Sequence, residues 1–196
     1  MSKDFSITGF TVDELDENVK KKMLDNYRDL FTDYDTHHLT EDLREVLRED
    51  GLVVDSLYWS LSHSQGDGVA FAVEKIDLDF LGRNQPDFEK YITEFEKLGL
   101  DLSVEIVQSG RYFHSDSMSL MVNYDEEKRQ STEIQKKISK FLHKLLSFVR
   151  KESSKLEQIG YEYIDYYTSD ECIEEHLRLN NFYFTKQGEL IPDTNG

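Results

Sequence analysis

Cysteine, proline and long apolar runs are nearly missing from this chain. Cys172 is the single cysteine in 196 residues, so no internal disulfide can form, which fits a reducing compartment. The two prolines, Pro86 and Pro192, leave no Pro-rich linker. No apolar run approaches the length of a membrane span, and Met1 to Phe10 lacks the apolar stretch of a signal peptide. The sequence therefore predicts a cytoplasmic protein without membrane contact. Basic residues are scarce too: 23 Lys/Arg stand against 40 Asp/Glu, for a net charge of −17. Such a chain is repelled by phosphate backbones and anionic bilayers, which argues against direct nucleic-acid binding. The charge has two readings, solubility alone or a surface that binds a basic protein in competition with nucleic acid.

Aromatic residues make up 12% of the chain, which argues against disorder, and the length suffices for one sizeable core. The charge is uneven. Residues 125–160 carry nine Lys/Arg against six Asp/Glu, so the basic element is a long helix in the C-terminal half. Its charged side reads as a solvated face, an internal partner for acidic helices, or a self-association surface that would make a homo-oligomer.

Apolar periodicity gives the elements. Thr11 and Glu14 form a capping box, with Phe10 and Leu15 as a hydrophobic staple. Leu15, Val19, Met23, Tyr27 and Leu30 then recur at helical spacing. Thr40 can cap a second helix running to Asp50, stopped by Gly51. Leu57, Trp59 and Leu61 alternate with polar residues, as do Val69, Phe71 and Val73, which reads as a hairpin. A helix is expected over 84–99, a second hairpin from Leu102, Val104, Ile106 and Met118, Leu120, Val122, and a long helix over 126–156. A last helix starts at Thr168 or Ser169, and residues 182–191 look like a small terminal hairpin. The expected class is α+β: an antiparallel sheet of two to three hairpins covered by helices. Residues 1–124 would form the core, with 125–196 as a helical segment and hairpin packed on the same domain.

The segment Ser64-Gln65-Gly66-Asp67-Gly68 joins the strands of the first hairpin. A plain tight turn needs only Asp-Gly, so the extra residues suggest a loop that holds a shape. The second tip carries Arg111, Tyr112 and His114. If the two tips lie side by side, Ser64, Gln65, Asp67, Arg111, Tyr112 and His114 form a ligand-binding candidate, with Asp67 within reach of Arg111. The same group also fits an ordinary structural network. His37 and His38 with Asp33 and Asp35 lack metal-ligand spacing and read as a surface loop. No nucleotide-binding or nucleophile-elbow motif occurs, and acidic neighbours make Cys172 a poor nucleophile. The sequence predicts no cofactor, no metal and no catalytic residue, and favours a non-enzyme.

The whole chain resembles an uncharacterised family of small acidic phage and prophage proteins. The likeness runs through Asp13-Glu14-Leu15, through Trp59-Ser60-Leu61-Ser62-His63 into the Ser64–Gly68 loop, through Gly110-Arg111-Tyr112-Phe113-His114, and through Tyr167 to Gly188. The resemblance implies a phage or mobile-element origin and brings no catalytic residues with it. Small acidic phage proteins often block host machinery, some as nucleic-acid mimics. The expected function is inhibition of a host nucleic-acid-binding defence protein, anti-CRISPR or anti-restriction in kind, through Asp13, Asp16, Glu17, Asp33, Asp35, Glu41, Asp42 and Glu45. The alternative is a ligand-binding or hydrolytic site built from Ser64, Asp67, Arg111 and His114.

Overall fold

The computed structural model describes residues 8–34, 36–124 and 131–192, with the backbone alone for 29–34, 36 and 37. The fold is α+β. Among the described residues it runs α1 (Glu17–Tyr34), α2 (Thr36–Glu49), β1 (Ser56–Ser60), β2 (Gly68–Ala72), α3 (Leu78–Asn84), α4 (Pro86–Lys97), β3 (Leu102–Gln108), β4 (Met118–Tyr124), α5 (Thr132–Tyr167) and α6 (Asp170–Leu179). Where the sequence suggested a core over 1–124 and a segment over 125–196, the contacts group Met1–His37 with Glu162–Gly196, and His38–Tyr161 as a second compact unit.

In the unit made from both ends of the chain, Val12, Leu15, Met23, Leu24, Ile173, Leu177 and Phe184 form the core. The Thr11–Glu14 motif is present: the Glu14 carboxylate accepts hydrogen bonds from the Thr11 amide and hydroxyl, at 2.9 and 3.0 Å. It closes only a single 3-10 turn, Val12–Glu14, after which Leu15 is extended. The helix proper is capped by Asp16, whose carboxylate accepts from the Asn18 amide at 3.1 Å. Asp at that position is the stronger cap, and the break lets Leu15 turn into the core rather than continue a helical stripe. Ser169, not Thr168, caps α6 by accepting from the Cys172 amide at 3.2 Å. The terminal hairpin shrinks to bridges, in which Phe184 pairs with both Leu190 and Phe10.

In the other unit, β1 pairs with β2 and β3 with β4, both antiparallel. The hairpins are joined where Val73 and Ile106 exchange two backbone hydrogen bonds of 2.9 Å, followed by Ile76 N–H to the Val104 carbonyl at 2.8 Å. One sheet face buries Val69, Phe71, Val73, Val104 and Ile106. The inward residues of α2, Leu39, Leu43 and Leu47, are buried too. So is Phe141 of α5, which Phe88 and Phe95 of α4 meet edge-on at 5.9 and 5.3 Å. Helix α2 begins at Thr36, so the expected cap Thr40 lies inside it, where its hydroxyl accepts from the Trp59 indole at 3.0 Å. One helix was expected over 84–99, but α4 begins at Pro86 and the short α3 precedes it. Helix α3 has seven residues including Gly82, too little pattern to stand out. Helix α5 runs to Tyr167, well past the expected end at Leu156.

Trp59 and Leu120 are half-buried rather than fully buried as the alternation suggested. They lie on β1 and β4, the outer strands, where cover on the core side thins. Phe71, on the inner strand β2, is fully buried. Phe71→Ala should therefore cost about 3–5 kcal/mol in denaturant unfolding, and Trp59→Ala clearly less; the reverse order would contradict this packing.

Candidate functional site

The Val73–Ile106 join makes β3 run antiparallel to β2, so both hairpin tips fall at the same end of the unit. They touch. The Phe113 amide donates to the Gly66 carbonyl at 3.2 Å. A Cβ on Gly66 would sit 2.2 Å from a Tyr112 ring carbon, and one on Gly68 would sit 2.4 Å from the Phe113 carbonyl oxygen. Both glycines also have positive φ, +94° and +144°, so the glycines of this loop are required by the docking of the second tip.

The side chains do not combine as expected. Asp67 makes no pair with Arg111. Its carboxylate accepts from Ser60 Oγ at 2.7 Å, the Ser62 amide at 2.6 Å, the Ser64 amide at 2.7 Å and Ser64 Oγ at 2.9 Å. The Ser64 amide, then the Ser60 hydroxyl and the other serine donors, hold this carboxyl far below the usual range. A group so saturated is a poor proton acceptor and acts as the buckle of its own loop. Arg111 instead lies over the Tyr112 ring, 5.0 Å from its centroid, and donates to the Tyr112 hydroxyl at 3.0 Å. The His114 ring stacks on Tyr112 at 6.2 Å, and its carbonyl accepts from Ser117 N–H and Oγ. Gln65 is exposed. His63, left-handed at φ 57°, stacks on Tyr161 of α5 at 4.4 Å.

The acidic candidates have different circumstances. Asp13 is held bidentately by Arg178 at 2.9 and 2.7 Å, which keeps its carboxyl below the usual range. Asp16 is a helix cap, and Glu17 is exposed in the first turn of α1. The Asp33 side chain and Asp35 lie outside the described residues. Glu41, Asp42 and Glu45 are exposed on α2, where Glu49 extends the row. Among the described residues no group of three or more His, Cys, Asp and Glu is placed to hold a metal ion.

Sequence reasoning missed Glu152, which sits on the buried side of α5 and is 4% exposed. Its Oε2 lacks a hydrogen-bond partner and lies 3.5 Å from the Lys155 ammonium, which also pairs with Asp50. Burial, then the hydrogen bond to the Asp50 carboxylate and its charge, push the Glu152 carboxyl up, against the pull of Lys155. A lone glutamate among apolar positions was the only sign of it in the sequence.

Two pH dependences follow, with opposite signs. Asp67 has a lowered folded-state pKa, so its stabilisation is present above about pH 3.9 and fades as pH falls below that. Asp67→Asn should lower the urea midpoint at pH 7, and the gap from the parent should narrow toward pH 3. Glu152 has a raised folded-state pKa, so the native state holds the extra proton and stability falls as pH rises above about 4.3. Glu152→Gln removes the buried titrating carboxyl and should be at least as stable as the parent at pH 7, without that fall. Identical slopes for parent and Gln variant would contradict the raised Glu152 carboxyl.

No curated protein and no solved structure matches the chain. Among protein families, the one described as Domain of unknown function (DUF8835) matches residues 36–170, a stretch that holds both hairpins, their touching tips and α2. The chain belongs to that family.

Proposed function

We propose that this protein is a non-enzymatic inhibitor, phage-type in character, that occupies the basic nucleic-acid-binding surface of a host defence protein. The observation that carries the reading is the exposed row Glu41, Glu45 and Glu49 on α2. At four-residue spacing its charges recur about every 6 Å along the helix axis, a regular anionic row of the kind a phosphate-binding groove accepts. Its internal relief is slight: Arg48 approaches Glu45 only at 3.4 Å with both side chains solvated, and Arg44 is engaged with the Val54 carbonyl at 2.9 Å. The net charge of −17 supplies long-range steering toward such a target. The likeness to small acidic phage proteins supports the choice of a defence protein. The hydrolytic alternative is weaker, because its carboxylate, Asp67, is saturated by serine donors.

The test takes bacterial proteins that bind DNA-cellulose and passes them over the immobilised chain. Retained proteins should release labelled DNA when free chain is added. The E41K/E45K/E49K variant, checked for an unchanged melting temperature, should lose this by about tenfold or more in affinity, and salt should weaken the parent's binding steeply. Retention indifferent to both salt and charge reversal would overturn the reading.

A further inference from the structure

We infer that the cleft between α3, the end of α4 and the start of β3 is a second docking site, which takes an extended basic segment of the same partner protein; this rests on the reading above and adds a contact to the α2 row. The cleft encloses about 480 Å³. Its floor is apolar: Ile76, Phe95, Leu100 and Leu102 are all buried beneath it. Its rim is acidic, formed by Asp77, Asp79, Glu96 and Asp101, with Lys75 as the one cation. Asp77 is engaged as the cap of α3, accepting from the Phe80 amide at 2.9 Å. Asp79, Glu96 and Asp101 are exposed and enter none of the ion pairs formed among the described residues.

The backbone adds a direction. Ile76 N–H to the Val104 carbonyl is the last hydrogen bond along that side of β3. At Leu102, which lines the cleft, no described strand lies on this side, since β3 is otherwise paired only with β4. An extended chain laid there meets an apolar lining, with Leu78 and Ile92 half-buried beside the buried floor, and carboxylates along the rim. That pattern selects basic residues alternating with apolar ones. A second hollow, between α4 and α5, is lined by Lys90, Lys97, Lys137 and Lys140 together with Glu89 and Glu94, the last paired with Lys137, so it lacks the acidic rim that would favour the same segment.

The probe is a fluorescein-labelled Arg-Leu-Arg-Leu-Arg peptide, with Arg-Gly-Arg-Gly-Arg and Glu-Leu-Glu-Leu-Glu as comparisons, titrated into the full chain. The first should bind, with methyl shifts at Ile76, Ile92 and Leu100 in NMR spectra, and the other two about tenfold or more weaker. D79N/E96Q/D101N should weaken binding about tenfold or more. Lys75→Glu should tighten it by about threefold, an effect that damage to the fold cannot imitate. No binding of the alternating peptide, shifts confined to α2, or unchanged affinity in the neutralised variant would overturn the cleft. The DNA-displacement result with the α2 variant would stand apart from that outcome.

Discussion

Two backbone hydrogen bonds between Val73 and Ile106 decide the character of the larger unit. Neither hairpin is wide enough to build a stable sheet alone. Joined at that point, they present one apolar face for helices to cover, and their tips are forced to the same end. The contact of Phe113 with Gly66 and the crowding around Gly68 then follow from geometry. So does the position of the cleft, which opens where the joined strands diverge after Ile76 and α3 takes the chain away.

The carboxylates of this acidic chain fall into three physical situations. Asp67 is ionised and enclosed by serine donors, which fixes a loop. Glu152 is withdrawn from water and joined to Asp50 and Lys155. Glu41, Glu45, Asp79 and Asp101 stay in water with their charge available. Only the third kind projects a field outward, so formal charge overstates the surface on offer. Asp13 shows the same discount: the sequence suggests a partner-binding acid, and Arg178 holds it.

Much of the fold was legible because alternation and helical spacing report burial directly. Val69, Phe71, Val104 and Ile106 are buried as their period requires, and Gly51 and Gly99 end their helices. The failures were local competitions. Asp16 outbid Thr11 as a cap, and α3 was too short to show a period. Trp59 and Leu120 kept the right face but lie on outer strands, and strand order is not written in alternation. The candidate site was legible as two loops that meet and illegible as chemistry. No pattern said that Asp67 would turn to three serines of its own hairpin rather than to Arg111. The acidic cleft was invisible because its lining comes from α3, α4 and β3, which only folding brings together.

The smaller unit is assembled from the first and last segments of the chain. Phe10 and Phe184 exchange backbone hydrogen bonds of 2.8 Å within it. During synthesis Phe10 and α1 emerge before α6 and Phe184, with their apolar partners still untranslated. The larger unit has all its strands and most of α5 available earlier. Vectorial synthesis therefore imposes an order: the interior unit can close on the ribosome, while α1 waits, apolar side uncovered, for α6 and Phe184 to appear. The nascent chain is most exposed to chaperones and proteases in that interval, which ends when α6 and Phe184 emerge.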